Sequence, residues 1–145
     1  MEIRKAKKSD LSDLVELEKI CLKHPYLEKD VLYELEDNPV SNILVASMDN
    51  LVIGYIDYWI TFDSSTICRI CVLPEYRNKG IATKLLSNCE NELKNQNVEF
   101  LTLEVRASNQ SAINFYLKNG FNKVTIKEGY YENGEDAVYM VKSEI

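Results

Sequence analysis

Residues 77–82 read Arg-Asn-Lys-Gly-Ile-Ala: a pair of cations, one glycine, then the start of an apolar-periodic segment. No Ser, Thr, Asp or Asn directly precedes Ile81 to cap a helix beginning there, so the first amides of that helix lack a side-chain partner. A glycine at this point lets the backbone approach a ligand closely, and open amides with the helix dipole favour negative charge. Arg77 and Lys79 add positive charge. The stretch therefore suits an anion, a phosphate or diphosphate, although Asn78 or water capping an ordinary helix would also satisfy the pattern. A second candidate is Glu104 in Leu101-Thr102-Leu103-Glu104-Val105. Alternation puts the three apolar residues on one strand face and Thr102 and Glu104 on the other. A solvated strand face would explain Glu104 without function; its place near the carboxyl end of the strand suits a general base.

The elements that must position these residues follow a mixed order. Glu2 to Ala6 reads as a strand, and Ser9 or Asp10 can cap a helix carrying Leu11, Leu14, Val15 and Cys21. A short helix with Val31, Leu32 and Leu35 stops before Asn38-Pro39. Asn42 to Met48, Leu51 to Thr61 and Thr66 to Val72 read as an antiparallel meander turning at Asp49-Asn50 and at Asp63-Ser64-Ser65. A helix from about Ile81 to Asn95 follows, with Ile81, Leu85, Cys89 and Leu93 on one face. Then come the strand Phe100 to Val105, a helix from Gln110 to Lys118 stopped by Asn119-Gly120, and strands Asn122 to Glu128 and Asp136 to Val141. The unit around Gly80 is thus a βαβ crossover, and strand ends beside such a crossover are where open sheets bind ligands.

Composition narrows the function further. Of 145 residues, 17 are Lys or Arg and 23 are Asp or Glu, a net charge of -6 that argues against general affinity for nucleic acid or anionic membrane. With no membrane-spanning run and no apolar leader in MEIRKAKKSD, the expectation is a cytoplasmic chain forming one domain over residues 1–145. Cys68 and Cys71 form a C-x-x-C, but on a β-branched strand residues three apart point to opposite faces. No second C-x-x-C follows, and the single histidine, His24, is far off in sequence. Buried structural thiols are expected there and no metal.

Arg77-x-x-Gly80-x-Ala82 resembles the R/Q-x-x-G-x-G/A loop of the GNAT acetyltransferases, which holds the diphosphate of acetyl-coenzyme A on backbone amides. LEVRASNQSAINFYLKNGF, residues 103–121, looks like the L-E-V-R-x-S-N-x-x-A-x-x-x-Y-x-x-x-G-F segment of the N-terminal protein acetyltransferases. GYYENGEDAVYM at 129–140 resembles their Y-Y-x-x-G-E-D-A-x-x-M ending. HPYLEKD at 24–30 is similar to the P-W/Y-x-E segment of the bacterial ribosomal-protein alanine acetyltransferases. The resemblance spans nearly the whole chain and implies the α/β (α+β) GNAT fold, a mixed sheet of about seven strands with four helices. One departure is Arg69, where many relatives carry an amide or another small polar residue.

By that resemblance, Arg77, Asn78, Lys79, Gly80, Ile81, Ala82 and Asn109 bind acetyl-CoA. The backbone of Ile70, Cys71 and Val72, on a bulged strand that splays from its neighbour, supplies the oxyanion donor. Tyr116 protonates the departing thiolate; without the resemblance, a tyrosine spaced from Ala112 and Ile113 as this one is reads as core packing. Asn109 as an N-cap likewise needs no ligand. Glu104 is the base, while Tyr26, Tyr130 and Tyr131 wall the acceptor site. The reaction implied is direct transfer of acetyl to an amine. An α-amino group with pKa about 8 is neutral in roughly one molecule in ten at pH 7, a lysine in roughly one in a few thousand, so a chain terminus asks about 3 kcal/mol less of the base. The expected acceptor is a protein N-terminus, with ribosomal proteins as the leading class. A small amine such as a polyamine, an archaeal-type broad N-terminal acetyltransferase, and a non-catalytic acyl-CoA-binding module are the alternatives.

Overall fold

The computed structural model describes residues 1–145. Seven strands form one sheet in the order β1-β2-β3-β4-β5-β7-β6: β1 Glu2–Lys5, β2 Ser41–Met48, β3 Leu51–Thr61, β4 Ser64–Val72, β5 Phe100–Arg106, β6 Asn122–Lys127 and β7 Ala137–Ser143. Helices α1 (Leu11–Cys21), α2 (Glu28–Leu32, extended by a π turn over Tyr33–Asp37), α3 (Ile81–Asn95) and α4 (Gln110–Lys118) complete it. The β2–β3 connection is a two-residue turn with Asp49 at φ 52° and Asn50 at φ 66°, the left-handed pair that matches strand twist. Asp10 does not cap α1 with its side chain. Its carboxylate accepts from the Lys7 amide at 2.7 Å and binds Arg4, closing a short 3-10 turn ahead of the helix.

Two apolar clusters lie on opposite faces of the sheet. The larger joins Ile81, Leu85, Cys89 and Leu93 of α3 and Ile113 and Tyr116 of α4 to Leu101, Leu103 and Val105 of β5. The smaller packs Leu14 and Leu17 of α1 and Val31 of α2 against Val45, Tyr55 and Cys71. Helices on both faces leave Thr102 and Glu104 on the α1/α2 side, as the β5 alternation requires. No helix is long and apolar enough to cross a membrane.

The sheet opens in the middle. β4 and β5 form its parallel pair, and they meet only over Ser64–Thr66 and Phe100–Thr102. The closed end is sewn by the Ser65 hydroxyl on the Phe100 carbonyl at 2.7 Å and by Thr66 and Thr102 hydroxyls 2.9 Å apart. Beyond it the register on β3 jumps from Tyr58↔Ile67 to Asp57↔Arg69, so Cys68 is an extra residue in β4. Such a bulge bends its strand, and β4 and β5 diverge toward their carboxyl ends. The bulged strand expected to carry Ile70 to Val72 is found, with its bulge just before them, where it re-aims the segment that carries them.

Candidate active site

In the β3–β4 ladder the Leu73 amide donates to the Ile53 carbonyl at 2.8 Å. Peptide groups alternate sides along an antiparallel strand, so Cys71 and Arg69, in register with Tyr55 and Asp57, also bond toward β3. Ile70 and Val72 are left with their N–H groups turned to the split. The Cys71 side chain belongs to the α1/α2 cluster, whereas Val72 and Ile70 pack on the α3/α4 side.

The loop into α3 follows directly. Asn78 and Gly80 both take left-handed backbone, φ 61° and 79°, which turns successive amides in one direction. Gly80 is the N-cap and no side chain caps the helix; Asn78 does not fill that role. The first backbone bond is Lys84 N–H to the Gly80 carbonyl at 3.0 Å, so the amides ahead of it, through Ile81 and Ala82, stay open. A Cβ on Gly80 would meet nothing within 4 Å, so conformation, not space, requires glycine here. Arg77 braces the loop, its Nε donating to the Val72 carbonyl at 2.9 Å. The Lys79 ammonium sits 5.6 Å from the centre of the Tyr76 ring. Asn109 is engaged as an ordinary N-cap, accepting from the Ala112 amide at 3.2 Å.

Glu104 and Tyr116 flank the split from opposite faces. Tyr116 is buried on the α3/α4 side in the cluster that holds Val72 and Val105, edge-on to Phe115 and Phe121. Burial pushes its phenol well up, so the proton is retained at neutral pH. On the other face the Glu104 carboxylate accepts from Lys127 Nζ at 2.7 Å. The Lys127 ammonium also lies 4.6 Å from the Tyr139 ring centre and 5.5 Å from that of Tyr130. Its pKa is raised, chiefly by the bond to Glu104.

Two further ion pairs frame the α1/α2 side. The Glu18 carboxylate, fully buried, accepts from the Tyr55 hydroxyl and from the Tyr26 amide at 2.6 Å, with Arg69 Nη2 at 3.6 Å. Arg69 also donates to the His24 carbonyl at 2.9 Å and lies 3.8 Å over the Tyr26 ring; its buried Nε has no partner. Burial pushes the Tyr26 phenol up to about 12. The departure at Arg69 thus ties the α1–α2 connection to β4. Across the split, Arg106 pairs with Glu135 at 3.1 Å and stacks 4.0 Å over Tyr131. Ser108, then Arg106, hold the Glu135 carboxyl down at about 2. Glu135 thereby pins the 129–136 loop, and Tyr130 and Tyr131 meet edge to face at 5.0 Å. Lys127, Arg106 and the Glu18–Arg69 pair escaped the sequence reading, because no local pattern tells that they converge.

The chain matches the family model described as acetyltransferase (GNAT) over residues 11–121. It belongs to the GNAT acetyltransferase family. An N-alpha-acetyltransferase of Saccharolobus solfataricus is 36% identical over 153 residues, covering 97% of this chain and 91% of that protein. The crystal structure of the Escherichia coli ribosomal-protein-S18-alanine N-acetyltransferase superposes with a TM-score of 0.89 at 29% identity, covering 99% of this chain and 93% of that one. An N-acetyltransferase from Thermoplasma acidophilum, solved with coenzyme A, gives 0.80 at 26% identity over 98% of both chains. As in other members, acetyl-CoA is the acyl donor. The donor set at α3 fits its diphosphate: open amides in a left-handed turn with two cations beside them.

Proposed function

We propose that this acetyltransferase acts on the N-terminal α-amine of proteins, with ribosomal proteins as the leading substrate class. The names of the Saccharolobus and Escherichia relatives support the reaction class. The observation that carries the choice over a polyamine acceptor is charge pairing on the α1/α2 face. Glu104 is matched by Lys127, Glu18 by Arg69 and Glu135 by Arg106. Glu34 is satisfied by Trp59 Nε1 at 2.6 Å and Asn38 at 2.7 Å. A polycation needs surplus carboxylates, and three of those on this face are already matched by cations, whereas a peptide terminus brings one charge and a backbone to bond.

Acetyl-CoA supplies the thioester, with its diphosphate on the amides of Gly80, Ile81 and Ala82 and the charges of Arg77 and Lys79. The N–H groups of Ile70 and Val72 are the oxyanion donors. Glu104, directly or through a water, takes the proton the amine must lose before it attacks; the nitrogen adds to the carbonyl carbon, Tyr116 donates its proton to the sulfur as the C–S bond breaks, and the proton the nitrogen sheds on becoming an amide passes through solvent to restore Tyr116. A phenol is a weaker acid than the thiol it regenerates, so positioning and exclusion of water must make up the difference. Tyr26, Tyr130 and Tyr131 line the peptide's approach.

Thiol release from acetyl-CoA tests this, with wild type, Glu104→Gln and Tyr116→Phe against peptides beginning Ala, Ser or Met-Leu and against spermidine. Turnover with peptides only, reduced at least about tenfold in both variants while coenzyme A still binds, is the expected result. Preference for spermidine would remove the N-terminal assignment. Cofactor binding without turnover on any amine would point to a binding module.

A further inference from the structure

We propose that Lys127 is a positioning residue of the transfer: its ammonium orients Glu104 and, as a fixed cation beside the base, selects the neutral form of the incoming amine. The inference rests on the reading of Glu104 as the base. Lys127 ends β6, opposite Ala137 on β7, while Glu104 on β5 is opposite Tyr139 on β7. The ammonium therefore reaches across β7 to the carboxylate, 2.7 Å from Oε1. Glu104 from β5, Tyr139 from β7 and Tyr130 from the 129–136 loop face it. The nearby Arg106 is paired with Glu135, and Arg69 beyond the split is shared by Glu18 and the His24 carbonyl.

A lone carboxylate at an acceptor site favours the ammonium over the amine, since an opposite charge stabilises the charged form. That binds substrate in the form that cannot attack the thioester. A fixed cation on the same carboxylate cancels the effect and repels an incoming ammonium. The amine must then arrive neutral or surrender its proton early, which suits an α-amine of pKa about 8 far better than a lysine or polyamine. The aromatic rings of Tyr139 and Tyr130 keep the ammonium in place.

The test is the pH dependence of kcat, which reports groups in the enzyme–substrate complex, between pH 6 and 10 on an Ala-initial peptide, for wild type, Lys127→Met, Lys127→Arg and Glu104→Gln, with coenzyme A affinity measured for each. Lys127→Met is expected to move the rising limb up by about one pH unit, losing about tenfold at pH 7 and recovering it above pH 9. Lys127→Arg should keep the wild-type limb, and spermidine turnover relative to peptide should rise in Lys127→Met. An unmoved limb, or a loss equal at every pH with coenzyme A still bound, would overturn the inference. Full peptide turnover in Glu104→Gln would instead remove the base reading on which it stands, a separate result.

Discussion

Gly80→Ala tests the anion loop by separating conformation from space. Gly80 has φ 79°, and the Cβ of an alanine there would have no neighbour within 4 Å. Any cost is therefore that of left-handed backbone for an L-residue, roughly 1–2 kcal/mol. Arg77, Asn78, Lys79 and Gly80 are all exposed, so in the free variant the loop is expected to relax away from the strained angle with little loss of stability. The penalty returns when acetyl-CoA imposes the turned amides on its diphosphate. A loss of 1–2 kcal/mol corresponds to an affinity for coenzyme A roughly 5- to 30-fold weaker by titration calorimetry, with a melting temperature almost unchanged. Asparagine tolerates the left-handed region better than alanine, so Gly80→Asn should fall between the two. Unaltered coenzyme A affinity in Gly80→Ala would refute the reasoning, since the conformation would then not be what binds. A large fall in melting temperature would refute the assumption that the loop relaxes.

Two other perturbations follow from the charge network. Asp57 is buried against Glu34 and Ser41, and burial, then Glu34, push its carboxyl up to about 9 from 3.8. The native state keeps a proton that the unfolded chain releases, so the stability this group contributes is present below about pH 4 and is lost as pH rises toward 9, at up to about 1.4 kcal/mol per unit. Asp57→Asn should raise the melting temperature by a margin that grows from pH 5 to pH 9; parallel curves for the two proteins would refute the assignment. Arg69→Met removes the cation from the fully buried Glu18, which keeps Tyr55 and the Tyr26 amide; a loss of about 2 kcal/mol in urea unfolding is expected, below the range for a wholly orphaned buried charge. Because Arg69 also holds the His24–Tyr26 connection, the KM for peptide should rise while coenzyme A affinity is unchanged.

Local chemistry in the sequence determined much of the fold and part of the site. Alternation in Leu101 to Val105 put Glu104 on the face away from α3, the Asp49-Asn50 turn joined β2 to β3, and the uncapped start at Gly80 marked the open amides. Each is decided within a few residues by side-chain period or backbone sterics. The tertiary structure decided the rest. The bulge at Cys68 turns Ile70 and Val72 to the split, and nothing in Thr-Ile-Cys-Arg-Ile-Cys-Val announces it, because a bulge is defined by the partner strand's register. Lys127 meets Glu104 because β7 inserts between β5 and β6. Arg69 reaches the His24 carbonyl across 45 residues because α1 lies on the face to which β4 turns it. Those meetings depend on sheet order and on which helix covers which face, set by burial of two separate cores rather than by any local pattern.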